Sequence, residues 1–195
     1  MQGSRIKFRF AVSPAACILL ALMLLVLPLK WIFAALAAAL IHELFHILAV
    51  LICGGRINSL AVGGSGAFLD ACQMSGGKAA ICSLAGPIGG LIMMLFARWL
   101  PRVAVCAAFH SFYNLLPVYP LDGGRALRCG IQILLPQYAD RICTCLEWLT
   151  LAGVSILAVY GCFWLKLGVM PLVFAVAFWL KIKNTPCKEP HLKLQ

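Results

Sequence analysis

Long apolar stretches, separated by short polar or glycine-rich segments, make up most of the chain. Apolar runs of about 20 residues are long enough to cross the hydrocarbon core of a bilayer as α-helices. The pattern therefore predicts an all-α polytopic membrane protein with about six transmembrane helices. We place these spans at residues 10–29, 31–53, 79–100, 102–135, 142–165 and 167–182.

Two segments interrupt the predicted helices. Residues 54–78 are rich in Gly and Ser and alternate in part between apolar and polar side chains, which predicts a short β-hairpin or a re-entrant loop. The fourth span is predicted to be broken, because Pro117 and Pro120 free backbone groups and Gly123-Gly124 allow tight turns. Non-helical backbone at membrane depth needs polar partners from protein or from a watery cavity.

The predicted spans form a single integral membrane domain, residues 1–183, followed by a polar tail at 184–195. Basic residues concentrate on the cytoplasmic side of membrane proteins. With the N-terminus in the cytoplasm, six spans place most of the sixteen Lys and Arg on that side. This distribution predicts a multi-pass protein of the cell membrane with both termini in the cytoplasm. The exceptions are Lys30, Arg98, Arg102 and Lys166.

Composition supports this class and argues against two others. Hydrophobic residues make up 63% of the chain and charged residues 11%, against about 25% charged residues in a typical soluble domain. The mean hydropathy is +0.98. The net charge of +10 does not indicate nucleic-acid binding, because the basic residues lie mainly at the ends of apolar segments. Most of the ten cysteines lie inside apolar segments, where cysteine serves as a small apolar side chain.

The residues that indicate chemistry lie in the middle of the second predicted span, in the sequence His42-Glu43-Leu44-Phe45-His46. Ionisable groups at that depth are costly and are functional candidates. His42 and His46 stand one turn apart on one helix face, where two imidazoles can bind one Zn²⁺. Glu43 can take a proton from zinc-bound water and pass it to the leaving nitrogen. Alternatively, the two histidines only form hydrogen bonds with a neighbouring helix. That interpretation leaves the presence of Glu43 at membrane depth unexplained.

A catalytic zinc needs a third protein ligand, and Asp122 at the predicted break is the best candidate. Alternatively, Asp122 caps a helix that starts at Gly123. Asn114, just before the break, can donate a hydrogen bond to the oxyanion of the reaction or to another helix. We expect His110 to be structural and Asp70 to be a turn residue rather than a ligand.

Three motifs occur in one order along the chain: HELFH at 42–46, AGP at 85–87 and NLLPVYPLDGG at 114–124. Together they resemble the site-2 protease family of intramembrane zinc metalloproteases. The resemblance is to its compact bacterial branch, which includes the sporulation protease that acts on a pro-sigma factor. It implies an endopeptidase in which His42, His46 and Asp122 bind one Zn²⁺ per chain and Glu43 is catalytic. It also implies that Asn114 lies near the substrate carbonyl.

The resemblance further implies a transmembrane protein substrate, such as a membrane-tethered transcription factor or its regulator, and a regulatory membrane partner. Residues 54–78 would then form a sheet that pairs with the unwound substrate. Two features depart from the family: there is no PDZ-like insertion, and the tail after Lys183 is shorter than the nucleotide-binding domain of the sporulation branch.

Two other classes of membrane protein make different predictions. A transporter or metal channel predicts inverted repeats and polar residues on several spans, and a catalytically inactive adaptor predicts loss of Glu43 or of a ligand. The sequence shows none of these features.

Overall fold

The computed structural model describes residues 7–9, 28–55, 57–63, 66–71, 75–166 and 168–183, which are predominantly helical. Apart from its last two positions, the first predicted span at 10–29 lies outside the described residues, as does the predicted tail at 184–195. The described helices are α1 (Leu29–Ile52), α2 (Gly76–Ile92), α3 (Pro101–Asn114), α4 (Asp122–Leu134), α5 (Ala139–Phe163) and α6 (Met170–Lys183). A 3₁₀ turn, Met93–Phe96, continues α2.

Three helical segments of the described chain are long and apolar enough to cross a membrane: Leu29–Ile52, Gly76–Phe96 and Ala139–Phe163. They correspond to the second, third and fifth predicted spans. Large apolar side chains point outward from them, such as Leu40 at 71% exposure and Leu157 at 69%. Apolar surface of this kind is typical of contact with lipid. The count of six spans remains a prediction, since α6 contributes only a shorter apolar helix, Pro171–Leu180.

Strands β1 (Lys7–Arg9), β2 (Ile57–Gly63) and β3 (Gly66–Ala71) form a sheet in the order β1-β2-β3. β1 runs parallel to β2, and β2 runs antiparallel to β3. Asp70 lies within β3 and pairs with Ser59. Its assignment to a turn is therefore wrong, because the strand continues past it to Ala71.

The described residues up to Tyr113 belong to one compact unit in which α1 packs against α2. The buried glycines of α2 permit this packing. A Cβ atom at Gly89 would overlap the ring of Phe45, and one at Gly90 would overlap the hydroxyl of Ser111 on α3. The small residues of this helix therefore allow close approach of its neighbours.

The described residues from Asn114 onward belong to a second compact unit, in which α4 packs against α5 and α5 against α6. Residues 115–121, here called the break, separate α3 from α4 and contain a cis peptide bond between Tyr119 and Pro120. Val118 in the break is fully buried, and Leu121 is 3% exposed. These apolar contacts anchor the break in the protein interior.

Two details of the break differ from the sequence interpretation. Asp122 is the first residue of α4, with extended backbone at Leu121 before it, so Asp122 is not the cap of a helix that starts at Gly123. Gly123 and Gly124 are helical and buried rather than part of a turn. Cβ atoms there would overlap the carbonyl groups of Leu115 and Val118, so close backbone approach explains these glycines.

Candidate metal centre

His42 and His46 of α1 turn toward one point inside the protein. His42 is 2% exposed and His46 is half-buried. Their Nε2 atoms lie 3.1 Å apart. Two nitrogens that each lie 2.0–2.1 Å from one tetrahedral zinc would be about 3.3 Å apart. The two imidazoles are therefore spaced to bind one ion with little movement.

The orientation of the His46 ring is set by α2. Its Nδ1–H donates a hydrogen bond of 2.7 Å to the backbone carbonyl of Cys82. With the proton on Nδ1, the lone pair of Nε2 is available to a metal. Metal-binding histidines commonly donate their other ring N–H in this way, which fixes the tautomer and raises the basicity of the ligand.

Gly86, one turn after Cys82 in α2, lies directly against both ligand nitrogens. A Cβ atom at this position would overlap Nε2 of His46 and Nε2 of His42. The absence of a side chain at Gly86 therefore keeps this face of the histidine pair open. Neither Gly86 nor the Cys82 carbonyl was predicted from the sequence as part of the site.

A third histidine contacts the pair. His110 of α3 lies with its ring centroid 4.6 Å from that of His42, and the two rings are nearly perpendicular, at 89°. The sequence placed His110 one turn before Asn114 and predicted a structural role. The contact means that His110 supports the position of His42.

Asp122 is the third predicted metal ligand. With His42 and His46 it makes up a group of residues that could hold a metal ion, each of which offers one ligand atom. Asp122 is half-buried at the start of α4. Two imidazole nitrogens and one carboxylate form a donor set used by catalytic zinc sites, in which a fourth position stays open for water or substrate. The residues present therefore fit a zinc ion.

The two remaining predicted site residues occupy half-buried positions. Glu43 follows His42 in α1, and Asn114 is the last residue of α3, immediately before the break. A carboxylate beside the first histidine can exchange a proton with a nearby water, and an amide can donate to an oxyanion. Their catalytic roles remain predictions.

Together, the apolar helices and the His-His-Asp group define a helical membrane protein with a candidate metal centre. No family model matches the chain, and no curated protein matches it. Among solved structures, the chain is similar to the site-2 protease from Methanocaldococcus jannaschii, with a TM-score of 0.61 and 15% sequence identity. The alignment covers 92% of this chain and 91% of that protein, so the similarity extends over nearly the whole fold.

Proposed function

We propose that this protein is an intramembrane zinc metalloprotease, an endopeptidase that hydrolyses a peptide bond of a membrane-embedded protein substrate. The observation that carries the proposal is the pair of imidazoles at His42 and His46, whose Nε2 atoms lie 3.1 Å apart, with Asp122 as the third group that could bind the ion. The similarity of the fold to that of a site-2 protease supports it independently. So does the presence of apolar helices long enough to cross a membrane.

In this mechanism, His42, His46 and Asp122 would hold the zinc, which would supply Lewis acidity and make a nearby water more acidic. Glu43 takes a proton from the attacking water and delivers it to the leaving nitrogen of the cleaved bond. The Asn114 amide donates a hydrogen bond to the oxyanion that develops on the substrate carbonyl. Burial of the site strengthens each of these electrostatic interactions.

The substrate is proposed to bind in an extended conformation. A transmembrane helix satisfies its backbone groups internally, so a peptide bond must leave the helix before it can be cut. In the described sheet, β3 has β2 on one side only, which leaves an edge for an added strand. The proposed substrate is a transmembrane protein, such as a membrane-tethered transcription factor or its regulator in a sporulation pathway. A second membrane protein would regulate access.

The experiment that tests this function is the substitution Glu43→Gln. The amide cannot accept the proton from water, whereas the ligands remain, so we expect loss of cleavage and retention of zinc. Membrane-protein fragments from cells that express the wild-type or the Glu43→Gln protein are compared by proteomics, and zinc is measured in the purified proteins. Identical fragment profiles from the two strains would contradict the proposal.

A further inference from the structure

Glu147 is a carboxylate that the proposed mechanism does not use. It lies within α5, one of the three helical segments of the described chain that are long and apolar enough to cross a membrane. A carboxylate near the centre of such a helix is costly to insert into a membrane, so its presence calls for a physical reason. The side chain is half-buried, and its Oε1 accepts a hydrogen bond of 3.2 Å from the backbone N–H of Tyr119.

Tyr119 lies in the break, where the backbone N–H and C=O groups cannot form the regular hydrogen bonds of a helix. The two prolines of the break have no N–H to donate. The N–H of Val118 donates to the carbonyl of Leu116, and that of Leu121 donates to the carbonyl of Val118. The N–H of Tyr119 instead reaches the carboxylate on α5. Hydrogen bonds to charged groups are stronger than bonds between neutral groups.

The break is tightly coupled to the first turn of α4. Gly123 and Gly124 lie against the carbonyl groups of Leu115 and Val118 so closely that a methyl group would not fit. In the chain, Asp122 stands between Leu121, the last residue of the break, and Gly123. It follows Tyr119 by three residues. A shift of the backbone at Tyr119 would therefore move the start of α4.

We propose that Glu147 is a positioning residue, which holds the break in the conformation that places the Asp122 carboxylate. Its importance for the metal rests on the proposed function, because it requires that Asp122 be a zinc ligand. Stabilisation of the break by the hydrogen bond from Tyr119 to Glu147 does not depend on that function and can be measured separately. Removal of supporting residues around a metal ligand typically weakens metal binding by about 10–100-fold.

Two substitutions separate positioning from charge. Glu147→Gln keeps an acceptor oxygen at the same distance from the backbone, whereas Glu147→Leu removes the acceptor at similar size. We expect Glu147→Leu to weaken zinc binding by about 10–100-fold, and Glu147→Gln to bind zinc close to the wild-type affinity. Thr150→Val is a matched control in the same helix, because the Thr150 hydroxyl donates to the Leu146 carbonyl of its own helix. Zinc affinity is measured on the full chain in mild detergent by competition with a chromophoric chelator.

A second measurement uses the zinc-free proteins. We expect amide hydrogen exchange in peptides that cover residues 115–121 to be faster in Glu147→Leu, and unchanged in Glu147→Gln and Thr150→Val. If residues 115–121 of Glu147→Leu exchange their amide hydrogens at the wild-type rate, the proposal is overturned. It is also overturned if Glu147→Gln folds but loses zinc to the same extent as Glu147→Leu. If the wild-type protein binds no zinc, the proposed function fails, and the exchange comparison still decides whether Glu147 holds the break.

Discussion

At the scale of single residues, the candidate metal centre depends on a backbone carbonyl and on a glycine as well as on reactive side chains. The carbonyl of Cys82 accepts the His46 Nδ1–H, and Gly86 leaves space beside both Nε2 atoms. Both groups belong to α2, while the histidines belong to α1. The packing of these two helices therefore determines the orientation of the ligands and the access to them.

Gly86→Ala tests the space beside the ligand nitrogens. The added methyl group overlaps Nε2 of both histidines, so we expect zinc affinity to fall by about tenfold or more, as for other supporting positions around metal ligands. Gly77→Ala is the control in the same helix, because a Cβ there has no neighbour within 4 Å. Zinc content after purification and chelator competition measure the effect. Equal zinc binding by the two variants would show that Gly86 does not border the metal site.

Asp122→Ala tests the third ligand. Loss of a direct ligand should weaken zinc binding by more than the 10–100-fold that is typical of supporting residues. Asp122→Asn, which keeps the size but removes the charge, should also lose affinity, since the carboxylate supplies charge as well as an oxygen. The measurement is metal analysis after purification in mild detergent. Unchanged zinc content in Asp122→Ala would remove Asp122 from the ligand set.

At this scale, the sequence predicted the candidate metal ligands but not the groups that support them. His42 and His46 were predicted as ligands because their spacing places them on one helix face. Asp122 was predicted because it sits where the fourth span breaks, and such a break can bring a carboxylate toward a metal. The Cys82 carbonyl could not be predicted, since every residue has a carbonyl and only tertiary packing selects one of them.

At the scale of elements, the break between α3 and α4 was predicted, but its internal packing was not. Prolines indicate where a helix ends, because they lack an N–H and clash with the preceding turn. The two glycines that follow were interpreted as turn residues, whereas they are helical and lie against the backbone of the break. A glycine needed for close approach and one needed for a turn look the same in a single sequence.

Gly124→Ala tests this packing. A methyl group at Gly124 overlaps the carbonyl group of Val118, so we expect destabilisation by about 1–3 kcal/mol, as for other overpacked sites, together with weaker zinc retention. Gly130→Ala in the same helix has no neighbour within 4 Å of its added Cβ and should stabilise the helix by about 0.5–1 kcal/mol. Thermal unfolding in detergent compares the two. A Gly124→Ala protein as stable as Gly130→Ala would contradict the close contact.

At the scale of the whole molecule, the pattern of apolar segments predicted a helical membrane protein, and the described helices agree with that class. Long apolar runs can be recognised directly in a sequence, because a helix that crosses the bilayer needs apolar side chains where it faces lipid. The number of spans is harder to predict, since a run of 10–14 apolar residues can be a short span, a core helix or an interfacial segment. The α6 helix, with its apolar part at Pro171–Leu180, is of this ambiguous length.

The acceptor for the His46 ring is a main-chain oxygen, so its identity is independent of the side chain at position 82. Replacement of Cys82 by another residue small enough for this buried position would leave the hydrogen bond to the His46 ring unchanged. At Gly86, one helical turn later, the side chain does matter, because even a methyl group would overlap the Nε2 atoms of His42 and His46. Related chains with the same centre should therefore vary at position 82 and retain glycine at position 86.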